Sequence, residues 1–455
     1  MKKRIFVFLI ILVWITKITF ASVGDFTISD EAKLGKKFYV YITTHFPLVY
    51  DPYIVNYIRG IASRLKSALP PQPFDITVDV IYSSQINAFA GPGGHVFVYT
   101  GIIALMDTEA ELASVLSHEF AHVTQRHIAE SIKREKLFSI GSLVGVLAGA
   151  LVGSSVGQAV AVGSVAGVQS AMLKHTRKQE READQVGIQY LVKAGYPSSA
   201  MVKAFLKLKK QKVLSGENNV PPYFLTHPGI EERISYLEQM QKFFPSKGKK
   251  RSNNEFEKVK ALVLAHYIDP DLALDLAHRL KDQCCRRLVN SFALLKKNKI
   301  KEAEQLMRDD YCEKKLEFWD REKGRFYFRL GKMDYALKYL NRAITINEKD
   351  YFALYFRARI YGDKQQPKLA IDDLNKILEF VPFDSEIHTL LGRLMGRYVS
   401  PFYGYIHYAY AALYKGDKDL MNKYWSRAKS LAKSNQEKRI LKKFEQEYNK
   451  WKKYW

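Results

Sequence analysis

The chain has 455 residues, a formal net charge of +24, and a composition that is 47% hydrophobic and 13% aromatic. That length admits two or three domains, and that apolar share excludes a disordered protein. The basic residues are spread through helical stretches with no recognition motif among them, which argues against nucleic acid and toward anionic lipid, lipopolysaccharide or acidic protein clients.

Met1-Lys2-Lys3-Arg4 and the apolar run Ile5 to Thr16 have the form of a secretory signal and are too short for a spanning helix. Residues 1–21 are expected to be removed after Ala21, an uncleaved anchor being the alternative. Leu34, Phe38, Val40 and Tyr41, then Tyr53, Ile54, Tyr57, Ile58, Ile61 and Leu65, predict two helices between 28 and 68 with a break at Pro47. Phe74 to Tyr82 alternates as a strand does, and His95 to Thr100 predicts a second strand after the turn Gly91-Pro92-Gly93-Gly94.

The next stretch is the centre of the chain. Thr108, with Glu111 three residues on, has a capping-box pattern, and Leu112, Val115, Leu116, Phe120 and Val123 recur at helical spacing. His118 and His122 are four apart and leave one face, while Glu119 sits roughly 100° round from His118. Two imidazoles and a neighbouring carboxylate on an otherwise apolar helix suit a zinc ion and a water. This helix is expected to continue past His127 toward Lys136. Phe138 to Met172 then holds no charged residue and is rich in Gly, Ala, Val and Ser; its length could hold a membrane hairpin, and its small residues suit close helix packing in lipid. A third ligand is expected downstream, where Glu180 and Asp184 share a helix face; one carboxylate can bind the metal while the other holds a ligand histidine. Glu182 reads as solvated, and His95 as a rim residue. Zinc proteases of this helix type hold a peptide against an edge strand, and Val96, Phe97, Val98 and Tyr99 are expected to form that edge.

These residues resemble the HtpX/BepA-type zinc metalloprotease family, which includes the CAAX prenyl endopeptidases. The matching motifs are His118-Glu119-Phe120-Ala121-His122 and Thr176-Arg177-Lys178-Gln179-Glu180 through Asp184, with Thr176 in place of the family's Ser. Ile86 to Val98 and Leu225-Thr226-His227-Pro228 are similar to the periplasmic, BepA-like branch. The resemblance is close over roughly residues 28 to 240 and implies one Zn2+ per chain, held by His118, His122 and Glu180, with Glu119 as general base and Asp184 orienting the site. It implies that His227 is a reversible fourth ligand or an oxyanion group; a loop-packing role is the alternative reading. In HtpX-like members the region of 138–172 spans the membrane, and in BepA-like members it is a lid. The resemblance further implies unfolded or misassembled protein substrates, the outer-membrane assembly machinery as partner, and a periplasmic site with possible membrane-surface contact. Two further readings are a latent protease acting mainly as a chaperone or scaffold, and an integral membrane protease of the HtpX type.

Residues 246–254 are polar and basic and predict a linker between a protease domain, 22–245, and a helical domain, 255–455. Ala303, Ala336 and Ala370 are spaced by 33 and 34 residues, the tetratricopeptide period, and each is followed four residues on by Met307, Leu340 or Leu374. Asp373 breaks the pattern held by Leu306 and Tyr339. Gly331 with Ala343 and Gly416 with Ala428 suggest a further copy after an insertion at Val399 to Tyr403. The end of the chain, from Lys442 to Trp455, reads as a capping helix or a surface-binding tail. Cys312 can bridge to one of the pair Cys284 and Cys285, or all three remain thiols. The expected fold class is α+β: a mainly helical zincin-type domain with a small sheet, followed by an all-α tetratricopeptide-repeat solenoid.

Overall fold

The computed structural model describes residues 26–135, 175–216, 220–244, 248, 252–308 and 310–452. The expected signal, 1–21, and the uncharged stretch 138–172 lie outside the described residues. Helix α1 (Ile28–His45) opens on a capping box between Thr27 and Asp30, and α2 (Pro52–Lys66) on Asp51, whose carboxylate accepts from Tyr53 N. The α2 face carrying Ile54, Ile58, Ile61 and Leu65 is buried, which is what its spacing requires.

Strands β1 (Thr77–Ile81), β2 (Ala88–Ala90) and β3 (His95–Tyr99) form one sheet in the order β1-β3-β2, with β1 parallel and β2 antiparallel to β3. The expectation that Val96 to Tyr99 is an edge is therefore wrong. β3 is paired on both sides, and Val96, Phe97, Val98 and Tyr99 are all buried, as befits a central strand covered on both faces. The outer strands are β1, bridged at Ile81 to Leu48, and β2. Hydrogen bonds from Tyr99 N to Asn87 O (3.0 Å) and from Gly91 N to His95 O (2.6 Å) set the register, which turns the N–H and C=O of Ala88 and Ala90 away from β3.

Helix α3 (Thr100–Leu105) leads into α4 (Glu109–Thr124), in which every residue from Glu111 to Val123 is buried. Thr108 caps α4 by accepting from Glu111 N at 3.2 Å, but the reciprocal half of the expected capping box is absent: the Glu111 carboxylate accepts instead from Asp107 N, at 2.8 Å. Nor does α4 run past His127. Arg126 takes a φ of +55°, and α5 (His127–Glu135) starts afresh. The Arg126 guanidinium holds this bend by donating to Glu31 of α1 at 2.8 and 2.5 Å.

Helix α6 (Arg177–Lys193) crosses α4 at Gly187, where a Cβ would sit 3.1 Å from Ser117 O and 3.2 Å from His118 Cα. A side chain there would push the two helices apart. Helices α7 (Ser199–Ser215), α8 (Pro222–Thr226) and α9 (Ile230–Met240) complete this half. Among the described residues no helix is long and apolar enough to cross a membrane.

Helices fill the rest of the chain. The first, Asn254–Tyr267, buries Phe256, Val259, Leu262 and Val263 in the same apolar cluster as Ile58 and Leu116. Hairpins follow, among them Trp319–Arg329 with Met333–Ile346 and Tyr351–Asp363 with Pro367–Phe380. Ala303, Ala336, Ala370 and Ala428 are fully buried, as small residues between close helices must be. Asp373, the residue that broke the pattern, is buried in a two-pronged contact with Arg357, both bonds at 2.7 Å. The insertion expected around 399–403 coincides with the start of a helix. Ser400 caps a helix, Pro401–Tyr414, that packs directly on Ser385–Tyr398. The helix Asn435–Trp451 closes the end, with Phe444 buried beneath it. Of the two readings left open for the cysteines, the bridge is present: Cys284 pairs with Cys312, and Cys285 is a buried thiol.

A fully buried ion pair helps join the two halves. Arg321 donates to both oxygens of Asp51, at 3.2 and 3.0 Å, and also to Glu322 at 2.8 Å, with its guanidinium near the rings of Tyr53, Phe318 and Phe352. Arg321 and Asp51 are fully buried. Arg321→Ala leaves Asp51 and Glu322 charged and short of a partner, and is expected to lower the unfolding free energy by about 3–5 kcal/mol. The combined change Arg321→Met with Asp51→Ser should cost much less, since no buried charge at Asp51 remains; urea unfolding followed by circular dichroism distinguishes the two.

Candidate metal centre

The crossing of α4, α6 and the α8–α9 turn brings His118, His122, Glu180 and His227 together, with one donor atom from each within 4.8 Å of the others. All four residues are buried. His118 Nε2 lies 3.0 Å from His122 Nε2 and 3.3 Å from His227 Nδ1. The Glu180 oxygens lie 3.6 Å from His118 Nε2, 3.4 Å from His122 Nε2 and 3.0 Å from His227 Nδ1. Ligands about 2.0–2.1 Å from a tetrahedral metal stand about 3.3 Å apart, so the spacing fits one ion.

The outer nitrogens are engaged in a way that turns both Nε2 atoms inward. His118 Nδ1 is 2.9 Å from Asp184 Oδ1, and His122 Nδ1 is 2.8 Å from His127 Nδ1. With Nδ1–H donated outward, each Nε2 keeps a lone pair for a metal. Arg233 clamps the carboxylates. It donates to Asp184 Oδ2 at 2.8 Å and Oδ1 at 2.7 Å, and a further nitrogen meets Glu180. Tyr236 also donates to Asp184, and the Arg233 guanidinium lies 4.5 Å from the ring centre of Phe205.

The charges suit a cation. Burial and the Arg233 guanidinium push the His118 imidazole down, but the hydrogen bonds to Asp184 and Glu180 outweigh them and hold it up at about 9. Glu180 lies well below the usual carboxylate range: burial raises it, and Arg233 and His227 overcome that. Glu119 points to the same space but takes no part in this network. Both its oxygens are buried without a hydrogen bond, and Oε1 lies 3.6 Å from His227 Nε2, itself unbonded. Burial raises the Glu119 carboxyl above its ordinary value. A buried carboxylate left free of partners is available to a water.

Each residue expected at the site from its sequence pattern thus lies at this crossing, except Val96 to Tyr99, which belong to the centre of the sheet. His95 is apart from it, 2.9 Å from Thr77 Oγ1. Glu182 is half-exposed, with a carboxylate oxygen 3.5 Å from His127 Nε2. The sequence reading missed Arg233, Tyr236, His127 and His175, whose ring stacks on His122 at 3.8 Å. A signal for Arg233 was present: it stands on the stripe of Ile230, Ile234 and Leu237, where a charge is out of place unless paired.

This geometry is that of a metallopeptidase built on a His-Glu-x-x-His helix. Residues 51–241 match the model of peptidase family M48. Over 213 residues the chain is 32% identical to the beta-barrel assembly-enhancing protease of Escherichia coli, covering 46% of this chain and 43% of the relative. The protein of that name from Yersinia pestis is 31% identical over 212 residues, again 46% and 43% of the two chains. A mitochondrial metalloendopeptidase of Arabidopsis thaliana is 32% identical over 163 residues, 35% of this chain and 30% of the relative. The chain thus spans half or less of the length of these curated relatives. Residues 51–241 are thus similar to the M48 metalloproteases of the HtpX/BepA type.

Asp184→Asn breaks the carboxylate pairing that orients His118 and Arg233. It is expected to weaken metal binding about 10–100-fold, measured by competition with a chromogenic chelator. Glu182→Gln, at the half-exposed neighbour, should leave that affinity unchanged.

Proposed function

We propose that the chain is a zinc-dependent endopeptidase of the cell envelope that degrades misfolded or misassembled outer-membrane proteins, with clients or partners held by the helical repeats. The observation that carries the reading is the convergence of His118, His122 and Glu180 beside a Glu119 whose buried oxygens have no other partner. Two imidazoles and one carboxylate are a catalytic zinc donor set. Zinc bound there supplies a Lewis acid that polarises a carbonyl and acidifies water near neutral pH.

The protein's own groups do the rest. Glu119 takes the proton from the attacking water and passes it to the leaving amine. Asp184 and Arg233 hold His118 and Glu180 in place. The N–H and C=O groups of Ala88 and Ala90 that face away from β3 belong to buried residues; once uncovered they would offer an extended peptide an edge to pair with, largely regardless of its sequence. This edge runs toward the site, since Ile86 O accepts from Tyr223 N, four residues before His227. The similarity to proteins named for β-barrel assembly supports an envelope setting and the outer-membrane assembly machinery as partner.

His227 supplies a fourth donor to the same cluster, which supports its role as a reversible ligand that keeps the resting site closed. The burial of all four donors also favours a second reading, a latent protease whose main work is chaperone or scaffold binding. One experiment separates them. Glu119→Gln is expected to retain zinc and to lower casein cleavage by about two to four orders of magnitude, while His227→Ala raises cleavage with zinc retained. Zinc without cleavage in the wild type and both variants would favour the scaffold, and absence of zinc would overturn the site.

A further inference from the structure

Between the helices Tyr351–Asp363 and Ser385–Tyr398 lies a cavity of about 250 Å³. Its wall is apolar, formed by Ala358, Leu374, Leu390 and Leu394, while Arg359, Arg393 and Arg397 line it as well. Asp363 is the single carboxylate there. None of the three arginines makes an ion pair among the described residues. Arg359 lies 4.8 Å from the ring centre of Phe328, and Arg397 lies 5.2 Å from that of Tyr398. Other arginines of the repeats are paired: Arg357, on the same helix as Arg359, with Asp373, and Arg321, on Trp319–Arg329, with Asp51.

Arg393 and Arg397 are also one helical turn apart, and like charges at that spacing repel. Three exposed guanidiniums gathered on an apolar hollow, with one carboxylate among them, form a site short of negative charge. A guanidinium matches a carboxylate with two parallel hydrogen bonds, and the hollow accepts the apolar group beside it.

We propose that this cavity binds a carboxylate borne by an extended, partly apolar polypeptide. The proposal rests on the reading that the repeats hold clients and gives that contact its chemistry. The carboxylate comes either from acidic side chains or from a free chain end, and the two sources are separable.

The test uses the full chain carrying Glu119→Gln, so that the probe is not cut. The probe is a fluorescein-labelled peptide ending Leu-Glu-Leu-Glu, followed by anisotropy at low salt, where exposed charges are least screened. Arg393→Gln with Arg397→Gln should raise Kd about tenfold or more, and Asp363→Asn should lower it. All three positions are exposed, and unchanged circular dichroism checks that the fold persists. Loss of binding on amidating the chain end assigns the carboxylate to the terminus; loss on replacing Glu by Gln in the peptide assigns it to side chains. An unchanged Kd in the double variant overturns the proposal. So does equal binding of an amidated, Gln-containing peptide, or displacement by inorganic phosphate where acetate at equal ionic strength has no effect. Casein cleavage by the chain with Glu119 intact is measured alongside. No cleavage with intact peptide binding counts against the peptidase reading alone, and cleavage without peptide binding overturns the cavity alone.

Discussion

The structure depends on the burial of ionisable groups at one helix crossing. Each charge carried from water into a protein interior costs several kcal/mol unless an opposite group meets it. Helix α4 takes His118, Glu119 and His122 into a fully buried position. The chain balances them with Glu180 and Asp184 from α6, and balances those in turn with Arg233 from α9. None of these partners is near another in the sequence except through a helical turn. Their meeting requires α6 to lie almost on the α4 backbone, and the missing Cβ of Gly187 allows that approach. Among the described residues the Glu119 carboxylate is buried there without a hydrogen bond, and a free carboxylate is what the general base of the proposed reaction requires.

The same constraint acts a second time, between the two halves. Asp51 caps α2 from inside the apolar core, and the charge it brings is met by Arg321 of the helical region. The approach to α4 is fixed from that side too. Asn253 accepts from Glu109 N at 3.0 Å, and the Lys260 ammonium donates to Met106 O at 2.7 Å. The repeat region thus supplies hydrogen bonds to the turn in front of the ligand helix as well as apolar contact beneath it. A client held by the repeats and one held at Ala88 and Ala90 would be held in a fixed relation.

Much of this was legible in the sequence, for physical reasons. Helical spacing reveals which residues share a face, so His118 with His122 and Glu180 with Asp184 could be read directly. Buried alanines at a 33–34-residue spacing disclosed the stacked hairpins. What failed were features set by partners far along the chain. β3 looked like an edge because β2 has three residues, too short to show alternation, so its pairing was invisible. The break at Arg126 could not be read because its anchor, Glu31, lies on another helix. Asp373 looked like a flaw in the repeat until Arg357 stood beside it. In each case local pattern was overridden by one long-range contact, which a single sequence does not display.

The position of His227 links burial to access. All four donors are buried, so the peptide of the proposed reaction would reach them only if some part moved with the carboxylate clamp intact. His227 and Arg233 stand on one short segment and do opposite work: the first occupies the metal cluster, the second holds Glu180 and Asp184. Between them Gly229 has a φ of +80° and open space where a side chain would stand, and Pro228 precedes it. The ring of Tyr223 stacks on His227 at 4.4 Å from the preceding short helix. Gly229 thus separates His227 from α9, which is packed through Ile230, Ile234 and Leu237. On the proposed reading of His227 as a reversible ligand, its release would leave Glu180 held, because Arg233, which meets Glu180, lies beyond Gly229 on α9.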